Sequence, residues 1–249
     1  MHTYPTLTRL RTLRLNGMAD AYAEQIDGRD AEAMTFDERL GLLVDRETSE
    51  RESRRLANRL RRAKLRQSAS IENIDYAAAR GLDKTVVRAL ARCNYVREHQ
   101  NVLLVGPTGT GKTYLACALA HKACLEGFTA GYHRLSSLLA ELEIAKVDGR
   151  YTKLIAELAK LDVLILDDWG LAPVPDHVRP ILLEILDDRH GLKSTIVTSQ
   201  LPIEHWHSAV GEATIADAIL DRLVHHSHRI ELRGDSLRKK KQPTPTNDN

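Results

Sequence analysis

The sequence predicts an α/β fold in which helices cover a parallel β-sheet, with an all-helical region in front of it. Three observations support this prediction. Short continuous apolar runs alternate with helical segments from residue 101 onward, a pattern typical of parallel strands buried on both faces. A glycine-rich loop joins the first apolar run to an Ala- and Leu-rich segment. Residues 1–66 contain no such runs and carry apolar residues at helical spacing instead.

Length and composition limit the classes of protein to consider. A chain of 249 residues, 43% of them hydrophobic, can form one substantial domain and a smaller appendage. No apolar stretch approaches the ~20 residues that a membrane-spanning helix requires, so we expect no membrane association. The cysteines Cys93, Cys117 and Cys124 follow no metal-ligand spacing. Without an apolar N-terminal signal, they indicate reduced thiols in a cytoplasmic protein.

The N-terminal region is predicted to contain two helical stretches, over residues 7–25 and from Thr35 to about Leu65. Thr35 and Glu38 fit the capping box that begins a helix. The second stretch is acidic in its first half and basic in its second, which complements the helix dipole. The basic residues either form a solvated helix end or a surface for nucleic-acid phosphates. These residues are Arg51, Arg54, Arg55, Arg59, Arg61, Arg62, Lys64 and Arg66.

The α/β region follows a stretch, residues 67–100, that is predicted to be a linker with short helices. Apolar and β-branched runs predict strands at residues 102–105, 128–133, 161–166 and 194–198. Helices are expected from about Leu135 and over residues 175–188. This alternation of strands and helices predicts a parallel sheet.

The glycine-rich loop matches the Walker A pattern, G-x-x-x-x-G-K-[ST], between a predicted strand and a predicted helix. Backbone N–H groups of such a loop and of the helix N-terminus bind phosphates. We expect Lys112 to contact the β- and γ-phosphates of ATP and the Thr113 hydroxyl to bind Mg²⁺. The residues of the loop are Gly106, Pro107, Thr108, Gly109, Thr110, Gly111, Lys112 and Thr113.

A second motif supplies two neighbouring acids at the end of the apolar run 161–166. Asp167 has the position of a Walker B aspartate, which holds the Mg²⁺ shell. Asp168 follows directly and is placed to orient or deprotonate an attacking water. Because a small-molecule kinase does not require this second acid, the pair favours hydrolysis.

Polar residues further along the chain are candidates for sensing the nucleotide. Ser199 and Gln200 follow the last predicted strand, where a group facing the γ-phosphate would lie. Arg238 either contacts the phosphates of its own chain or belongs to the basic cluster at residues 238–241. The histidine runs at 205–207 and 225–228 match no metal-ligand spacing, and we interpret them as surface or interface residues.

An arginine finger is a further expectation, because such a residue raises the rate of hydrolysis at a neighbouring protomer's nucleotide. Arg222 is the first candidate and Arg189 its rival. The alternative for Arg222 is an ion pair on its own helix with Asp217 or Asp221.

With these motifs, nearly the whole chain resembles the IstB-like branch of the AAA+ ATPases, the helper ATPases encoded beside the transposase in one class of bacterial insertion sequences. It is more distantly similar to the DnaC-type helicase loaders. The more specific segments are residues 100–103, 166–170, 186–189, 198–202 and 216–223.

The resemblance implies an AAA+ P-loop NTPase domain at residues 67–241, behind a basic helical domain at 1–66 and before a disordered tail at 242–249. It assigns Asp168 to the hydrolytic water, where most AAA+ proteins have Glu. Ser199 or Gln200 corresponds to sensor 1, Arg222 to the finger and Arg238 to sensor 2.

The function implied is an ATP-dependent DNA-binding helper that forms a homo-oligomer on duplex DNA and stimulates its cognate transposase, with ATP and Mg²⁺ as cofactors. A helicase loader is the alternative within the family. A metabolic P-loop kinase and a DNA-coating protein that hardly hydrolyses ATP are alternatives of other classes.

Overall fold

The structure is a computed structural model that describes residues 4–28, 33–77 and 80–237. The chain forms two compact units, and the boundary between Asn58 and Arg59 lies within one long helix. The predicted boundary at residue 66 is a little later. Arg238, the basic cluster at 238–241 and the predicted tail at 242–249 lie outside the described residues.

The described residues contain helices and strands in the following order. The helices α1 to α11 span Pro5–Thr12, Asn16–Asp27, Phe36–Ala63, Lys84–Leu90, Asn94–Arg97, Lys112–Leu125, Leu135–Asp148, Tyr151–Lys160, Arg179–Arg189, Trp206–Val210 and Ala213–Val224. The strands β1 to β5 span Asn101–Val105, Ala130–Arg134, Val163–Trp169, Ser194–Ser199 and Ser227–Glu231.

In the N-terminal unit, the first predicted helix is divided into α1 and α2. Arg14, between them, has a left-handed backbone with a φ of 60°, which interrupts helical geometry. The capping box of α3 is present as predicted. The backbone N–H of Thr35 donates to Glu38 Oε2 over 2.7 Å, and the N–H of Glu38 donates to Thr35 Oγ1 over 3.3 Å.

The second unit contains a five-stranded parallel sheet among the described residues, with strand order β2-β3-β4-β1-β5. The four predicted strands are present with shifted ends. The sequence did not predict β5. Because this strand lies at the edge of the sheet and only Ile230 is buried, its composition lacks the apolar run of a central strand.

The central strands and the helix after the glycine-rich loop form the core of this unit. Every residue of β1 and β4 is buried, as are the small side chains of Cys117 and Cys124 on α6. Burial raises the pKa of the Cys124 thiol to about 11. Among the described residues, no helix is long and apolar enough to cross a membrane.

The strand order determines where the site forms. β4 lies between β1 and β3, so the loops that follow these three strands meet at one edge of the sheet. Val105 is paired with Ser199, and Leu166 with Val197. The glycine-rich loop, the acids of β3 and the polar end of β4 are therefore neighbours.

Candidate nucleotide-binding and hydrolysis site

The loop between β1 and α6 adopts a conformation that requires glycine at two of its positions. Gly106 has a φ of 147°, and a Cβ there would lie 2.0 Å from the carbonyl oxygen of Leu232. Gly109 has a φ of 83°, and a Cβ there would lie 2.0 Å from Ser236 Oγ. The segment after β5 thus packs directly against the loop, and side chains at either position would force them apart.

Lys112 is the first residue of α6, and its ammonium is held over the loop. The side chain is buried, and Nζ donates to the carbonyl oxygens of Gly106 over 2.6 Å and Pro107 over 2.8 Å. The first N–H groups of α6 have no partner within the helix and carry its partial positive charge. Loop, helix end and ammonium together form a site for phosphate.

Asp167 is a fully buried carboxylate that accepts hydrogen bonds at both oxygens. Oδ1 accepts from Thr113 Oγ1 over 2.9 Å and from Thr198 Oγ1 over 2.5 Å. Oδ2 accepts from the Tyr132 hydroxyl over 2.5 Å and from Arg66 Nη1 over 3.3 Å. Thr113 and Asp167 present the hard oxygen ligands that Mg²⁺ prefers, so this pair fits the predicted metal role.

Asp168 points away from the strand because its backbone is left-handed, with a φ of 64°, a conformation that Asp tolerates better than most residues. Its N–H donates to Thr198 Oγ1 over 3.2 Å. The carboxylate lies 3.1 Å from Arg134 Nε and 3.8 Å from Arg66 Nη1. The two acids therefore differ in environment: Asp167 is enclosed, whereas Asp168 faces a cavity.

That cavity has a volume of about 670 Å³ and is lined by Lys112, Thr113, Asp168, Arg134 and Gln200, among others. A volume of this size is typical of small-molecule and cofactor sites. The lining combines cations for phosphates, oxygens for a divalent metal and the accessible carboxylates of Asp75 and Asp168. The residues present therefore fit a nucleotide with its metal.

Three residues of this site carry no signal in the sequence that predicted them: Tyr132, Arg134 and Arg80. Arg134 is the last residue of β2 and is paired with Asp167 in the sheet. Arg80 is buried and donates to the carbonyl oxygens of Thr110 over 3.2 Å and Asp75 over 2.6 Å. Tyr132 and Arg134 reach the site because β2 pairs with β3. The order of the strands along the chain does not reveal this pairing.

The two sensor candidates differ in accessibility. The Ser199 hydroxyl is buried, donates to the carbonyl oxygen of Trp169 over 2.8 Å and accepts from the N–H of Leu201 over 3.0 Å. Gln200 is exposed and lines the cavity. This placement favours Gln200 over Ser199 for contact with a phosphate.

Arg222 lies at the far end of β1 from the glycine-rich loop. Its carbonyl oxygen accepts from Asn101 Nδ2, at the first residue of the strand, over 2.9 Å. Its Nε lies 2.6 Å from Asp187 Oδ1 on α9, so the ion pair exists with a partner other than Asp217 or Asp221. Because a strand of this length separates it from its own loop, Arg222 does not reach the nucleotide site of its own chain.

Arg189, the rival finger, is enclosed in the core. Its guanidinium donates to the carbonyl oxygens of Leu158, Leu161 and Ser194, over 2.6, 2.8 and 2.6 Å, and to Thr195 Oγ1 over 3.2 Å. Burial lowers the pKa of this guanidinium. With 1% exposure, Arg189 offers a neighbour no charged surface and instead ties α8, α9 and β4 together.

Replacing Arg189 by methionine is expected to destabilise the protein by about 3 kcal/mol or more, because several buried carbonyl groups lose their donor. Urea unfolding of the variant and the wild type measures this difference. Arg222→Met, which removes a partly exposed arginine paired with Asp187, is the control and should cost less than half as much. Equal stability of Arg189→Met and the wild type would contradict this structural role.

The basic residues of α3 and the segment after it do not share one environment. Arg51 and Arg54 form ion pairs with glutamates one turn earlier in the helix. Arg59 donates to a backbone carbonyl over 2.9 Å, and Arg66 lies at the acids of β3. Four others have exposed side chains: Arg55, Arg61, Arg62 and Lys64.

The histidine runs are interpreted above as surface or interface residues. His207 and His225 lie 3.4 and 3.2 Å from the carboxylates of Asp217 and Asp221. Over residues 4–28, 33–77 and 80–237, no group of three or more His, Cys, Asp or Glu is arranged to hold a metal ion.

The fold and the site define a P-loop protein with the fold of the AAA+ NTPases. Comparison with known proteins agrees with this class: the DnaC helicase loader matches 66% of this chain and 97% of its own, with a TM-score of 0.55 and 21% sequence identity. At this identity the likeness is one of fold alone.

Sequence comparison identifies the family. Residues 8–244 match the family described as IstB-like ATP binding protein. A putative insertion sequence ATP-binding protein, y4pL of Sinorhizobium fredii, is 49% identical over 96% of this chain and 98% of its own length. The putative ATP-binding protein of insertion sequence IS1162 from Pseudomonas fluorescens is 49% identical over 81% of this chain and 88% of its own. The chain therefore belongs to the IstB-like family of insertion-sequence ATP-binding proteins.

Proposed function

We propose that this protein hydrolyses ATP, assembles with ATP on duplex DNA, and stimulates the transposase of its insertion sequence. The observation that carries the proposal is the pair of unlike acids at the end of β3, one enclosed beside Thr113 and one facing the cavity. Family membership supports ATP binding and the link to an insertion sequence.

In the proposed reaction, Lys112 and the N–H groups at the start of α6 bind the β- and γ-phosphates. Thr113 and Asp167 hold Mg²⁺, which neutralises charge on the phosphate oxygens when bound. Asp168 orients a water molecule and accepts its proton. Gln200 contacts the γ-phosphate from the end of β4.

The position of Arg222 supports the proposed self-association. An arginine that lies at the opposite end of β1 from its own loop can complete only a neighbour's site. Each protomer would then contribute a pocket on one side and a finger on the other, a head-to-tail contact that builds rings or filaments. Such an assembly explains why ATP would favour oligomers.

DNA binding is assigned to the exposed arginines of α3, which suit phosphate oxygens and need not read sequence. Changing Arg54, Arg55, Arg61 and Arg62 together to alanine is expected to weaken duplex DNA binding and to flatten its salt dependence. Each lost phosphate contact lowers the magnitude of the negative slope of log K against log salt by about 0.9, so the slope should become less steep by up to roughly 3 to 4. Fluorescence anisotropy at several salt concentrations measures both.

The control variant removes four positive charges elsewhere, at the exposed residues Arg88, Arg92, Lys153 and Lys160. It should change the slope by less than one. If both quadruple variants bind DNA alike, the surface on α3 is not the DNA site. If the wild type forms no larger particles with ATP and duplex DNA, the proposed assembly itself is contradicted.

A further inference from the structure

We propose that Arg66 and Tyr132 are positioning residues of the ATPase site, which fix the Asp167 carboxylate so that one of its oxygens faces Thr113 and the metal. This inference rests on the proposed function and assigns to Arg66 a role other than DNA binding. Its basis is the way in which the four donors divide between the two oxygens of Asp167.

The two oxygens of Asp167 have separate partners. Oδ1 accepts from the hydroxyls of Thr113 and Thr198, which belong to the loop and to β4. Oδ2 accepts from the Tyr132 hydroxyl at 2.5 Å and from Arg66 Nη1 at 3.3 Å. A rotation of the carboxylate would break bonds at both oxygens, so Tyr132 and Arg66 hold the orientation in which Oδ1 is beside Thr113.

Tyr132 donates its proton to Asp167, because a carboxylate oxygen can only accept, and its own hydroxyl oxygen accepts from Arg66 Nη1 over 3.4 Å. Burial, together with its hydrogen bond to the Asp167 carboxylate, keeps the pKa of the hydroxyl above its usual range.

Arg66 adds a charge to the hydrogen bond. Its guanidinium lies within 3.8 Å of both Asp167 and Asp168, and the Asp167 side chain is fully buried. Two adjacent carboxylates repel each other, and one of them enclosed in protein is costly unless a cation is near. One nitrogen of Arg66, Nη1, lies 3.3 Å from Asp167 Oδ2 and 3.8 Å from Asp168 Oδ2, so a single positive charge serves both acids.

The same placement separates Arg66 from the DNA surface. Its side chain is 40% exposed, but its guanidinium lies among the β3 acids and close to the Tyr132 hydroxyl. Arg62, in the last turn of α3, has an exposed side chain. The two arginines are near in sequence and alike in charge, so Arg62 is a matched control for Arg66.

The test measures the Mg²⁺ dependence of nucleotide binding, with a fluorescent ATP analogue and without turnover. Arg66→Gln and Tyr132→Phe should each raise the Mg²⁺ concentration at half-saturation by about 10- to 100-fold, the usual cost of removing a group that orients a metal ligand. Binding of the analogue without Mg²⁺ should change little in Tyr132→Phe. Arg62→Gln should leave the Mg²⁺ midpoint unchanged and weaken DNA binding, whereas Arg66→Gln should affect DNA binding by less than twofold.

The inference is overturned if Arg66→Gln keeps the wild-type Mg²⁺ midpoint and weakens DNA binding as Arg62→Gln does. Should Arg66→Gln fold poorly in a thermal melt, Tyr132→Phe decides, because it removes one hydroxyl and no charge; an unchanged midpoint there overturns the positioning role. A wild-type protein whose nucleotide binding ignores Mg²⁺ would overturn the metal role of Asp167 in the proposed function as well.

Discussion

Asp168→Asn is expected to lower ATP turnover by about 10²- to 10⁴-fold, the usual contribution of a general base, while nucleotide affinity stays within a few-fold of the wild type. The amide keeps the size of the side chain but cannot accept the proton of the attacking water. Because Asp168 faces the cavity and Asp167 remains enclosed by its own donors, Mg²⁺ binding should be retained. Phosphate release and binding of a fluorescent ATP analogue measure the two effects separately.

The same variant also tests how hydrolysis is used. If ATP favours assembly on DNA and hydrolysis reverses it, assemblies of Asp168→Asn should persist after the wild-type assemblies have disassembled. Light scattering over time with duplex DNA records this. Asp176→Asn, at a carboxylate that is 91% exposed, is the control and should match the wild type in both rate and lifetime. Turnover of Asp168→Asn at the wild-type rate would exclude Asp168 as the base.

The parts of the site that can be predicted from the sequence are those whose residues all lie in one short segment of the chain. The glycine-rich loop needs its glycines because its backbone contacts Leu232 and Ser236, and the strand before it is apolar because it is buried. The acids at residues 167 and 168 end an equally apolar strand. Motif, spacing and burial coincide in these segments, so the fold class and the positions of the two candidate phosphate- and metal-binding elements could be predicted without a structure.

The parts that sequence does not predict depend on which strands are neighbours. Tyr132 and Arg134 reach the acids of β3 because β2 pairs with β3. The order of the strands in the sheet differs from their order in the sequence, since β4 lies between β3 and β1. Arg66 belongs to a basic run whose other members have different environments, and charge alone does not distinguish them. Arg189 is a different case. It is a charged residue of a helix, and the sequence gives no sign that its side chain is buried in the core.

Arg222→Ala is expected to reduce turnover by about 10³-fold or more, the effect of losing an arginine finger, with ATP affinity changed little. The nucleotide pocket of the variant protomer should remain intact, since Arg222 lies at the far end of β1 from the glycine-rich loop. Asp187→Ala is the matched control, because it removes the same ion pair but leaves the arginine. If Arg222 acts only through this ion pair, both variants should lose turnover alike; if it is a finger, Asp187→Ala should remain active.

A mixture of two inactive variants shows whether the arginine acts on a neighbour. Lys112→Ala has a defective pocket and an intact finger, and Arg222→Ala has the reverse. When equal amounts are mixed before ATP and DNA are added, interfaces that join an intact pocket to an intact finger should form at roughly one quarter of the positions. Turnover should then recover to about that fraction of the wild type. A mixture that stays as inactive as its components would contradict catalysis between protomers, because an intact site would then need both residues in one chain.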